Sequence, residues 1–164
     1  MTRIADQRSI VAVDPNSRGL AFVFFEDGQL LDWGTRRRDG KELYLLDELL
    51  HRYKADVLIL EDPDARRCER RPRKRQLLRI LAESGKRKGI TVIAVGRYAV
   101  RQAWTNQGIT TKHGVATQLA AMFPEVEPLV PRKRKPYRSE QTRADIFDAL
   151  SLITHALNDR FDMA

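Results

Sequence analysis

The apolar positions of this chain fall into short runs in its first half and into helical spacing later on. Residues 9–14 end the run Ile10-Val11-Ala12-Val13 at Asp14; the run is too short and too β-branched for a helix and reads as a strand. Asp14-Pro15-Asn16-Ser17-Arg18-Gly19 is turn chemistry. Leu20 to Phe25 forms a second strand, Glu26-Asp27-Gly28 a hairpin turn, and residues 29–35 a third strand. An amphipathic helix follows from about Gly40 to Tyr53, with Leu43, Leu46, Leu49 and Leu50 on one face. Residues 56–61 read as strand four. Residues 71–88 have helical spacing through Leu77, Leu78 and Leu81 with a basic opposite face, and Ile90 to Val95 reads as strand five. Two shorter helices at about 97–104 and 111–122, a Pro-rich basic connector over 124–138 and a final helix over about 140–158 complete the chain. The order βββαβαβααα predicts an α/β fold. Its mixed five-stranded sheet would have three antiparallel strands continued by parallel strands, with helices on its faces.

Composition narrows the class. At 164 residues the chain is long enough for one domain with a proper core and short for two, so residues 1–164 are expected to form a single domain. No apolar run approaches the ~20 residues of a membrane span. Residues 1–8 lack the apolar core of a signal peptide, and the lone Cys68 has no internal partner, so a reducing, cytoplasmic setting is expected. The net charge is +8, and it is concentrated: between Pro63 and Gly89 there are 11 Lys/Arg against 3 acidic residues. A second basic cluster, Arg132-Lys133-Arg134-Lys135, precedes the last helix. Concentrated positive charge points to a polyanion, most simply nucleic acid; the bland alternative is a solvated basic surface.

Four carboxylates change the picture. Asp14 and Glu61 end strands one and four, which this topology would make parallel neighbours. Both acids would then emerge at the carboxyl edge of the sheet, where sites of open α/β proteins lie. Asp145 and Asp148 are three apart on the last helix and share a face, which Leu152 and Ala156 continue toward the sheet. Each acid has an ordinary reading by itself. Asp14 precedes a proline and suits a turn, Asp62 competes with Glu61, and the helix acids would complement a helix dipole entered near Ser139. Together they suit Mg²⁺, a hard cation with oxygen ligands, for which Mn²⁺ can substitute. Two such ions ~3.5–4 Å apart activate a water and stabilise both oxygens of a phosphodiester displacement. The histidines His51, His113 and His155 make no metal pattern, and no Gly-rich phosphate loop, zinc spacing or nucleophile elbow is present, so no small-molecule cofactor is expected.

The element order is that of the RNase H-like fold, and the chain resembles the RuvC family of Holliday junction resolvases within it. Val11 to Gly19 is similar to the family's first-strand motif, with Asn16 where glycine is usual, and Leu58-Ile59-Leu60-Glu61 resembles the strand bearing its second acid. Tyr98 to Gly108, followed by Lys112, resembles its basic segment, and Asp145-Ile146-Phe147-Asp148-Ala149-Leu150 its paired acids. The resemblance runs from Ile10 to about His155. It implies a homodimeric, Mg²⁺-dependent DNA endonuclease, with two ions per site, that nicks a four-way junction symmetrically. Asp14, Glu61, Asp145 and Asp148 would be metal ligands, and Lys112 a catalytic cation near the scissile phosphate. Arg101 would stand where lysine is usual, as a planar fork rather than an ammonium. Lys112 and Arg101 also read as ordinary surface cations.

Two departures stand out. The family usually carries junction-wedging aromatic residues after its second acid, yet residues 62–97 contain no Phe, Tyr or Trp. Arg66, Arg67, Arg70, Arg71, Arg73, Lys74 and Arg75 stand there instead, shifting expected recognition from base stacking, ~1–3 kcal/mol per base, to phosphate contacts. The connector with Arg132, Lys133, Arg134 and Lys135 reads as a DNA-holding loop or as a plain surface loop. Rival readings keep the fold but cleave structured RNA, as for the YqgF relatives, or abandon catalysis for a nucleic-acid-binding module or a basic adaptor.

Overall fold

In the computed structural model, which describes residues 9–16, 19–132 and 144–161, the strands are β1 (Ser9–Asn16), β2 (Gly19–Glu26), β3 (Gln29–Arg37), β4 (Val57–Glu61) and β5 (Thr91–Val95). The helices are α1 (Glu42–Arg52), α2 (Pro72–Arg87), α3 (Arg97–Asn106), α4 (Lys112–Met122) and α5 (Ala144–Phe161). The sheet order is β3-β2-β1-β4-β5, antiparallel across the first three and parallel from β1 to β4 to β5. This is the mixed α/β architecture expected from the sequence. Helix and strand ends move by a few residues, and part of the expected connector, Pro124–Leu129, is a 3₁₀ turn.

Alternation along the strands divides the core. Val11, Val13, Leu20, Phe22, Leu58 and Leu60 face α1 and α2, whereas Ile10, Ala12, Ala21, Val23 and Ile59 face the side of α5. The α1 leucines Leu45, Leu46, Leu49 and Leu50 are all buried, while Leu43, expected on their face, is exposed. Its spacing from Leu46 and Leu50 is helical, but it lies in the first turn of α1, short of the sheet's cover. α5 is buried through Ile146, Phe147, Ala149, Leu150, Ile153 and Ala156, so the helix that carries two of the acids is also a principal core element.

The β2–β3 hairpin turns at Asp27 and Gly28, both with positive φ, as a two-residue turn matched to strand twist requires. At its other end the pairing is tight: a Cβ on Gly19 would stand 1.9 Å from the Arg36 carbonyl oxygen. Gly19 thereby lets β2 begin in close contact with the end of β3; the expected turn at 14–19 is instead strand through Asn16, with β2 starting at Gly19. Gly19→Ala is expected to cost about 2 kcal/mol or more, since backbone must move to accept it. An unchanged denaturant midpoint would show that the strands pair more loosely there.

Candidate metal centre and cationic cleft

Continuing the β1–β4 register Ile10↔Val57, Val11↔Leu58, Ala12↔Ile59 by two residues sets Asp14 opposite Glu61. Both side chains then share the α5 face of the sheet, at the carboxyl edge, and they are only 5% and 3% exposed. Burial at strand ends is costly for carboxylates, so each must have a partner or a proton.

Asp14, Asp145 and Asp148 each offer a carboxylate oxygen, and these atoms lie within 4.8 Å of one another. Asn16, the last residue of β1, donates to Asp145 through Nδ2 at 3.0 Å and orients that carboxylate toward β1. The donors are all oxygens, the set preferred by a hard divalent cation, so these residues fit such an ion. Asp145 lies in the first turn of the described part of α5, Ala144–Phe161; Ser139, the expected cap, lies outside the described residues.

Glu61 is placed differently. It lines the same cleft, but both its oxygens accept from Arg70, at 2.9 to 3.1 Å. Asp62, the alternative acid, accepts instead from the Asp64 amide at 2.8 Å and serves the turn. Lys74, in the first turn of α2, stands 3.9 Å from Asp14. The Asp14 carboxyl is pushed up to about 7 from its ordinary 3.8. Burial is the main cause; Lys74 opposes it, Asp148 and Asp145 add to it, and Arg70 opposes again. Burial also works against the Arg70 charge, but its hydrogen bonds to Glu61 and the charges of Glu61, Asp14 and Asp148 prevail and raise its pKa.

Asp14, Glu61 and Asp148 open onto a cleft of about 870 Å³. Lys112, Arg101, Arg97, Arg70 and Arg132 line it together with the apolar Trp104, Val100 and Phe147. The Thr111 side chain accepts from the Gly114 amide at 3.0 Å and fixes where α4 begins, hence where Lys112 stands. His113 bonds the Pro131 carbonyl through Nδ1 at 2.9 Å, tying the connector at Pro131 to α4. The expected DNA-contacting cations thus divide. Arg101, Lys112 and Arg132 line the cleft, while Arg66 and Arg67 line a smaller neighbouring hollow of about 210 Å³. Arg71 and Arg73 are exposed, Arg75 donates to the Pro63 carbonyl at 3.1 Å, and Arg70 and Lys74 turn toward the acids. Lys133, Arg134 and Lys135 lie outside the described residues.

Some participants are not evident from sequence. Tyr98 of α3 accepts from Arg67 at 2.6 Å and stacks under its guanidinium at 4.6 Å, bringing an aromatic ring to the loop that lacks one of its own. Arg37 is two strands from Asn16 in register, Asn16↔Gly19↔Arg37, hence on the same sheet face about 10 Å away. Its place in an arginine triplet, Arg36-Arg37-Arg38, is the available signal, though only the pairing sets it in line with Asn16.

No protein-family model matches the sequence, and no curated protein matches it. Solved structures do. RuvC of Thermus thermophilus is 20% identical over 94% of this chain and 96% of that one, with a TM-score of 0.61. The T. thermophilus RuvC in complex with Holliday junction substrate is 19% identical at the same coverage, with a TM-score of 0.62. The yeast mitochondrial Holliday junction resolvase Ydc2 is 13% identical over 99% of this chain and 89% of that one, at 0.55. None of the helices among the described residues is long and apolar enough to cross a membrane. The chain has the RNase H-like fold of the RuvC-type Holliday junction resolvases, as its sequence resemblance implied.

Proposed function

We propose that this chain is a divalent-metal-dependent, structure-selective DNA endonuclease that nicks four-way junctions, working as a homodimer with Mg²⁺ as its natural ion. The observation that carries the reading is the convergence of Asp14, Asp145 and Asp148 beside a cleft whose mixed, largely apolar lining also carries Arg70, Arg97, Arg101, Lys112 and Arg132. An acidic centre inside a basic rim draws in a polyanion and holds a cation at the place where the polyanion is cut. The similarity in fold to junction resolvases favours branched DNA over other phosphodiesters.

A divalent ion held there supplies Lewis acidity and lowers the pKa of a bound water. The chain's own residues do the rest. Asp14 anchors from the sheet, Asp145 and Asp148 from α5, and Asn16 fixes the angle of Asp145. Lys112 and Arg101 hold the DNA backbone against the centre, with Arg66, Arg67, Arg71, Arg73, Arg132 and Arg37 extending the contact. The Arg67–Tyr98 pair offers a ring for an unstacked base. A single domain over residues 1–164 acting in the cytoplasm completes the proposal.

The deciding assay is cleavage of a synthetic four-way junction with Mg²⁺ by the wild type and by Asp14→Asn and Asp145→Asn. Paired symmetric nicks are expected from the wild type, falling at least a hundredfold in either variant. Cleavage of structured RNA in place of DNA transfers the same chemistry to an RNA substrate, and binding with no cleavage by any of the three leaves a binding module. Junction binding is also expected to weaken with salt at a log–log slope of about −5, for ~6 neutralised phosphates. A slope near zero removes the cationic cleft from DNA recognition.

The raised pKa of Asp14 adds a test by pH. Between about 4 and 7 the folded protein retains a proton that the unfolded chain, at 3.8, has lost. The metal-free protein therefore loses stability as pH rises through that window. An ion displaces the proton and binds better once it is gone. The rise in Tm produced by Mn²⁺ should be larger at pH 8 than at pH 5.5, and absent in Asp14→Asn. An equal rise at both pH values, retained in the variant, would place the ion elsewhere.

A further inference from the structure

By sequence, Glu61 and Arg70 belong to opposite parties, a metal ligand and a DNA contact. The structure joins them. Arg70 lays Nε against Oε1 and Oε2 of Glu61 at 3.0 and 3.1 Å, and Nη2 against Oε2 at 2.9 Å. The Glu61 side chain is 4% exposed, that of Arg70 23%. Arg70 therefore covers the carboxylate from the solvent side while its own outer edge faces the cleft that holds Asp14, Asp148 and Lys112. Asp14 has no such clamp from α2, since Lys74 stands 3.9 Å away, beyond hydrogen-bond length.

We infer that Arg70 is a latch on Glu61: in the DNA-free protein its guanidinium holds the carboxylate that a second divalent ion needs, and a DNA phosphate draws it off. The inference rests on the metal-dependent nuclease reading and adds the order in which the site assembles. The first ion takes Asp14, Asp145 and Asp148; the second waits for DNA. A guanidinium fork matches phosphate as well as carboxylate, so Arg70 exchanges one pair of charge-assisted hydrogen bonds for another. Glu61 is then a buried carboxylate without its partner, and a cation is what neutralises it. The coupling is reciprocal: phosphate at Arg70 raises cation affinity at Glu61, and a cation at Glu61 frees Arg70 for phosphate. The full ion set forms only where backbone lies across the cleft. Arg70 is thus a positioning residue, acting on the ion through Glu61.

Counting Mn²⁺ bound to the DNA-free protein, by electron paramagnetic resonance of the free ion with calorimetry alongside, tests this without any reaction. One ion is expected in the wild type and two in Arg70→Gln, the second bound at least tenfold more tightly than any second ion of the wild type. The double variant Glu61→Gln/Arg70→Gln, which buries no unpaired charge at this pair, should return to one. Arg70→Lys, whose ammonium cannot span both oxygens, should fall between the wild type and Arg70→Gln; it serves in place of Arg70→Gln should that variant not fold. Two ions in the wild type with affinities that Arg70→Gln leaves unchanged overturn the latch while the nuclease reading stands, as does a count of one in every variant. No ion in the wild type or in any Arg70 variant overturns both. The transfer has its own readout. Junction binding in EDTA should have a salt slope shallower by about 0.9 in Arg70→Gln, the loss of one phosphate contact. An unchanged slope shows that Arg70 does not move to DNA.

Discussion

Two carboxylates that are almost out of water, at the ends of adjacent strands, are the constraint to which the rest of the site answers. Asp14 and Glu61 sit at the C-terminal ends of β1 and β4, below apolar residues that pack to full burial on both faces. A bare carboxylate there opposes folding by several kcal/mol. The chain resolves the two differently. Glu61 receives a fork of three hydrogen bonds from Arg70, while Asp14 holds its proton into the neutral range with Lys74 nearby. This explains an oddity of α2. Its first turn carries Arg73 and Lys74 and no acid, so cations crowd the positive end of a helix dipole. The acids of the sheet edge, across from that end, offset the crowding.

The same constraint divides labour among the elements. The sheet supplies rigidity, so Asp14 and Glu61 are fixed by strand register and have little freedom. α5 supplies the other two acids from a helix buried along most of its length, which holds Asp145 and Asp148 as firmly as the core holds Ile146, Phe147 and Leu150. The cationic layer above stands on other elements. Arg70 lies on the segment between β4 and α2, and Arg101 and Lys112 on short helices near the rim. Acids on core elements, with counter-charges on a loop and on rim helices, are what a site needs if it is to hold a cation and accept a phosphate.

How much of this the sequence discloses follows from what each signal measures. Period-two alternation and the Asp27-Gly28 turn disclose the sheet, because burial of one face and turn geometry are local properties. The parity of Asp14 and Glu61 follows from the same alternation. Charge is different. Arg66 to Arg75 reads as one basic surface, since composition records how many cations there are and not which way each one turns. Only the fold shows that Arg70 and Lys74 point inward at the acids, that Arg75 secures the Pro63 carbonyl, and that Arg71 and Arg73 remain outside. Tyr98 escapes for a related reason: its partner Arg67 is 31 residues away, and no local pattern joins a helix to a loop across that distance. His113, which makes no metal pattern in the sequence, finds its partner only when Pro131 is placed beside it.

Sequence identity of 13–20% with structures of the same fold is the level at which alternation survives and individual contacts do not. A sheet core accepts many apolar residues provided that volume and parity are kept. The segment after Glu61 is under no such restriction, and it is there that this chain is most its own, with arginines where aromatic residues were expected. That exchange changes more than affinity. An aromatic loop binds whatever base it reaches and is indifferent to the acids beside it. An arginine loop cannot be indifferent, because a guanidinium near a buried carboxylate pairs with it. Once Arg70 stands within reach of Glu61, the proposed DNA contact and the proposed metal ligation draw on the same side chains, and charge alone suffices to couple them.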